Sequence, residues 1–138
     1  MATTSFNLQQ CAIVFQKAAI AINERVQANL QGLNIHEIMD LLNKVQELTT
    51  KSSTLFAMSV VQLGEEAQGS FDSLEDASTQ IDAVIHTVEK VQEVINFAVK
   101  LVSTASSIIS LDVQGIISNV SGVLTDITSL LQPQENDN

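Results

Sequence analysis

A chain of 138 residues with 45% hydrophobic residues is long enough to bury the core of one domain and too apolar to be disordered. One Pro, five Gly and no Trp or Tyr leave out most of the turn and strand vocabulary of a sheet protein, so an all-α fold is predicted. Six basic residues against sixteen acidic ones give a formal net charge of −10, which argues against a nucleic-acid partner and against anionic lipid headgroups.

The N-terminal MATTSFNLQQ lacks the basic region of a signal peptide, and Ala2 rules out N-myristoylation. A cytoplasmic location, or export without a cleaved signal, is the expectation. The longest uncharged stretches near the C-terminus, 101–111 and 113–125, fall short of the ~20 residues of a spanning helix.

The first helix is predicted from about Ser5 to Gln31, on the apolar stripe Leu8, Cys11, Phe15, Ala18, Ala19, Ile22, Val26 and Leu30. Gly32 can end it in the left-handed conformation, and Asn34 with Glu37 three residues later forms a capping box for the next helix. So short a link makes the two an antiparallel hairpin. Helix two is predicted from Ile35 to about Leu63, buried through Ile38, Leu41, Leu42, Val45, Leu48, Leu55 and Phe56. Its Thr- and Ser-rich middle, Thr49 to Thr54, invites a bend.

Gly64 to Asp72 reads as an acidic loop; the Gly and acid spacing of an EF-hand is missing. A third helix starts near Ser73, with Ile81, Val84, Val88, Val91, Ile95, Ala98, Val102, Ala105 and Ile109 in steps of three and four, the seven-residue repeat of a helix-pair seam. Asp112 caps a fourth helix, Val113 to Leu131, with Val113, Ile116, Val120, Val123, Ile127 and Leu130 inward. The alternative is one continuous rod, because the stripe passes from Ala105 through Ile109 to Val113 in steps of four. The predicted fold is thus an all-α antiparallel bundle of about four helices in two hairpins, elongated and packed like a coiled coil. Residues 1–132 form the domain and 133–138 a polar disordered tail.

Chemistry has little to build on. His36 has Glu37 and Asp40 beside it, and His86 has Asp82 and Glu89, which on paper is half of a carboxylate-bridged metal site. Helical phase argues otherwise. Taking Val88 as zero, Asp82, His86, Glu89 and Glu93 fall about 100° to 160° away, and His36 lies about 180° from Val45, so both histidines point to water. Cys11, the only cysteine, sits in an apolar stripe and reads as a small buried hydrophobe. No nucleophile triad, phosphate loop or H-E-x-x-H string occurs. No catalytic residue, metal ligand or cofactor is therefore assigned, and an enzyme is not expected.

The informative signal is apolar surface beyond one core face. Phe97, Leu101 and Ile108 lie about 180° from the third helix's seam, and Ile13 and Ile20 lie a heptad apart opposite Phe15. Ile117, Leu124 and Leu131 make a further row on the last helix. These eight positions are the predicted interface of a non-catalytic assembly protein that docks onto copies of itself or onto a helical partner. Two other readings compete. The nearly uncharged 94–131 hairpin, with Asp112 and Asp126 as its only charges after Lys100, could meet lipid as a membrane-active or pore-forming component. The acidity could instead serve an immunity or chaperone-like protein that binds a basic partner.

Overall fold

The computed structural model describes residues 8–58 and 65–131, and these form six helices with no strand among them. The helices are α1 (Leu8–Ala28), α2 (Ile35–Ala57), α3 (Glu65–Asp76), α4 (Ser78–Thr87), α5 (Val91–Ile109) and α6 (Val113–Leu131). The all-α reading holds; the count of about four does not. The N-terminal Ser5, the stretch of helix two beyond Met58 and the tail 133–138 lie outside the described residues.

The α1–α2 hairpin forms where the turn chemistry places it. Asn34 Oδ1 accepts the Glu37 N–H at 2.8 Å, and Glu37 Oε1 accepts the Asn34 N–H at 3.0 Å, so both halves of the capping box are made. α1 ends three residues earlier than the expected Gln31. α2 runs unbroken through Thr49 to Thr54, where a bend was expected. Ser52 explains part of this: it is buried, and its hydroxyl donates to the Ala12 carbonyl of α1 at 2.9 Å instead of competing within its own helix.

The supposed acidic loop is a helix. Ala67, Phe71 and Leu74 recur at steps of four and three and are buried, while Glu65 and Glu66 occupy the first turn, where the helix dipole favours negative charge. Gly69 is tolerated within it and faces open space.

The third predicted helix is three helices. The chain turns at Ala77 and again across Val88–Lys90, so the seam drawn from Ile81 to Ile109 does not exist as a single line. Rotational phase is reset at the second break. Ile81, Val84 and, just past the end of α4, Val88 are buried, but on α5 the buried set is Val94, Ile95, Phe97, Ala98, Leu101, Ala105 and Ile108, so of the predicted seam Ile95, Ala98 and Ala105 are buried while Val91, Val102 and Ile109 are only half-buried at its flank.

The continuous-rod alternative is overturned at Leu111. Its backbone is left-handed, with φ 58°, and Asp112 Oδ1 accepts the Gly115 N–H at 3.1 Å to start α6. A Cβ at Gly115 would sit 2.5 Å from Asp112 Oδ2, so any larger residue there would have to displace the capping carboxylate.

The packing closes a ring. α2 packs on α1 and α5, α5 on α6, α6 on α3 and α4, and α3 and α4 on α1. Arg25, near the end of α1, reaches the end of α4, so α5 starts at the same end of the bundle as α2 and the two run the same way. Lys100 and Asp126 pair at 2.9 Å and Asn119 Nδ2 donates to Ser107 Oγ at 2.6 Å, as antiparallel α5 and α6 require. The core fills the ring with Phe15, Ile22, Leu41, Leu48, Leu55, Phe97 and Leu101, each completely buried. Each such side chain contributes about 1.5–3 kcal/mol by leaving water.

Candidate docking surface

Among the described residues, no group of three or more His, Cys, Asp or Glu side chains is placed to hold a metal ion. His86 lies on the surface between α1 and α4, with Nε2 3.2 Å from Glu24 Oε1 and Nδ1 3.1 Å from the Asp82 carbonyl oxygen. It keeps its exposure yet also bridges two helices, a contact to α1 that phase within its own helix could not reveal. His36 is exposed. Cys11 is buried, and burial pushes its thiol well above the ordinary range, with the Glu75 charge adding to the effect. A thiol held neutral in this way is not a nucleophile.

The eight residues predicted as an interface separate into three groups. Phe97, Leu101 and Ile108 are completely buried within their own chain, which removes them from any docking face. They appeared to lie opposite the core only because the phase of α4 was carried across the break at Val88–Lys90. Ile117 and Leu124 are half-buried against α3, where they line a shallow groove of about 380 Å³ with Glu66, Gly69 and Ser73; Leu131 is half-buried at the end of α6. Ile13 and Ile20 alone lie open, 36% and 52% exposed on the outer side of α1.

The larger exposed apolar face is one that the helical spacing of α2 contains but the expected burial list hid. Inward, α2 presents Ile38, Leu41, Val45, Leu48, Ser52 and Leu55, in steps of three and four. Outward, a second seam has the same heptad rhythm: Ile35, Met39, Leu42, Gln46, Thr49, Ser53 and Phe56, every one exposed. Ile35 is 63% exposed, Met39 61% and Leu42 38%, and Phe56 repeats the apolar character at the far end. Leu42 and Phe56 were expected inward; each sits one helical step outside the buried set.

No Asp, Glu, Lys or Arg interrupts this outer seam. The charges of α2, Glu37, Asp40, Lys44, Glu47 and Lys51, stand about 160° around the helix from that seam, on the side toward α5, with Lys44 Nζ bonded to Glu47 Oε1 at 2.8 Å. Glu47 and Lys51 line an open groove of about 550 Å³ between α2 and α5, together with Val102 and Ser106. The exposed acids of α3 and α4, Glu65, Glu66, Asp72, Glu75, Asp76 and Asp82, lie on helices that pack on α1 and α6, across the bundle from α2.

One long-range structural contact had no sequence signal. Arg25, half-buried, donates from Nη1 to the carbonyls of Ile85 at 2.8 Å and Val88 at 2.6 Å, so the orphan carbonyls at the end of α4 are satisfied by a side chain from α1. The chain matches no family model, no curated protein and no solved structure.

Proposed function

We propose that this chain is a non-catalytic helical docking protein whose working surface is the outer face of α2, extended by Ile13 and Ile20 of the adjoining α1. The observation that carries the reading is the exposed second heptad seam. A helix that met only its own chain would have no use for Ile35, Met39 and Leu42 in water, and contiguous exposed apolar side chains mark interaction sites. The largest apolar side chains of α5, Phe97, Leu101 and Ile108, are buried in the core, which disfavours the lipid-facing alternative. No helix among the described residues is long and apolar enough to cross a membrane.

Apolar-dye fluorescence at sub-micromolar protein, compared between wild type and the Met39→Asp/Leu42→Asp pair, tests this. The wild-type chain should bind dye in the native state and the variant should lose most of that signal with an unchanged helical circular-dichroism spectrum. A signal indifferent to the two substitutions contradicts the reading, as does wild-type flotation with neutral liposomes.

A further inference from the structure

Across the bundle from the α2 face, and independently of it, we infer that the groove between α3 and α6 is a docking site for a basic amphipathic helix of a different protein, its apolar side chains seated in the groove between flanking Lys or Arg residues.

The two walls of the groove differ in chemistry. α6 supplies Ile117 and Leu124, half-buried and one heptad apart, with Ser121 exposed between them. α3 supplies the row Glu66, Gly69, Ser73 and Asp76, in steps of three, four and three, which keeps all four within about 80° of one another around the helix. Every member of the row is exposed, and its two end carboxylates stand roughly 15 Å apart along the axis. Its middle is bare. A Cβ on Gly69 would meet no atom within 4 Å, so close packing inside the chain does not account for the glycine, and the shallow space of about 380 Å³ stays open beside it.

Charge selects the occupant. Glu65 and Asp72 flank the same row on its solvent side, and neither α3 nor α6 carries a Lys or Arg. The single acid of α6, Asp126, is paired with Lys100 of α5 at 2.9 Å. An occupant that covers Ile117 and Leu124 must therefore bring positive charge with its apolar side chains, because interfaces match potentials across the contact. A second copy brings the wrong sign: each described helix of this chain that holds a Lys or Arg also holds an acid, and the net charge is −10. Anionic lipid and nucleic acid are repelled by the same carboxylates. Two helices side by side leave a trough that a third fills with anchors at i, i+3, i+4 and i+7, and the spacing of Ile117 and Leu124 suits such anchors. Basic residues about ten positions apart on that third helix would reach Glu66 and Asp76 together.

The probe is a fluorescein-labelled helical peptide with Leu at i, i+3, i+4 and i+7 between Lys pairs at its two ends, titrated with the full chain and read by anisotropy. Saturable binding of one peptide per chain is expected, at least about tenfold tighter than for a scrambled peptide of the same composition. Glu66→Lys/Asp76→Lys should weaken it at least about tenfold. Gly69→Leu should weaken it as much by filling the groove, with an unchanged helical circular-dichroism spectrum and a thermal midpoint no lower than wild type, since the new side chain starts in open space.

No binding overturns the inference. Equal binding of the scrambled peptide does so as well, because net charge alone would then explain the contact. Binding that survives Gly69→Leu and is lost in Met39→Asp/Leu42→Asp places the peptide on α2 and overturns the groove as its site.

Discussion

At the scale of single residues, two positions carry effects that contacts alone would not suggest. Cys11 is raised in the fold above its ordinary value near 9.0 because the thiolate cannot be solvated there, and Glu75 adds to the shift. A group whose folded pKa is raised gives stability that is complete below the unfolded value and is lost as pH climbs past it. Unfolding free energy should therefore be flat with respect to this group up to about pH 8.5 and then fall by about 1.4 kcal/mol per pH unit. Denaturant titrations at pH 7 to 10 check this against Cys11→Ala, which should lack that slope. Leu111 holds a left-handed backbone with its side chain 41% exposed, so the conformation costs energy that little packing returns. Leu111→Gly should raise stability by about 1 kcal/mol, read as a higher thermal midpoint; a lower midpoint would mean that the leucine side chain packs more favourably than its exposure implies.

Among the helices, the breaks matter as much as the runs. α4 ends where Arg25 collects the Ile85 and Val88 carbonyls, and no residue within α4 or α5 does that work. Arg25→Ala should cost about 2 kcal/mol, and amide exchange should accelerate first around residues 88–91. Uniform acceleration across all six helices would show that the contact is not local.

The same junction explains what the sequence could and could not disclose. The start of α2 at Ile35 and the bounds of α6, Val113–Leu131, were legible because Asn34, Glu37 and Asp112 are local signals whose partners lie within three residues. The break at Val88–Lys90 was not, since neither Gly nor Pro marks it and its stabilising side chain is more than sixty residues away. Once that break was missed, periodicity ran on with the wrong phase, and Phe97, Leu101 and Ile108 were placed outside the core they fill. α3 was hidden for another reason: Gly69 and a run of acids resemble a loop, while burial of only Ala67, Phe71 and Leu74 makes the segment a helix.

For the molecule as a whole, the distribution of charge and grease is asymmetric. Acids gather on α3 and α4, the ring of helices buries Phe97, Leu101 and Ile108 of α5 and Ile116, Val120, Val123 and Ile127 of α6, and the outer side of the α1–α2 hairpin keeps an uncharged seam that no other described residue covers. Ile13 and Ile20, a heptad apart opposite Phe15, are exposed, as their helical phase implies. The seam of α2 was missed because two interleaved heptads on one helix look like a single broad apolar face until burial separates them.

The most direct measurement of the central claim is the methyl resonance of Met39 as an apolar dye is titrated onto the native chain. Met39 sits 61% exposed within the outer seam, whereas Met58 packs half-buried against the core and serves as an internal reference. An apolar molecule seated on the outer face of α2 should move or broaden the Met39 signal while Met58 stays fixed. Both signals constant throughout the titration would contradict it.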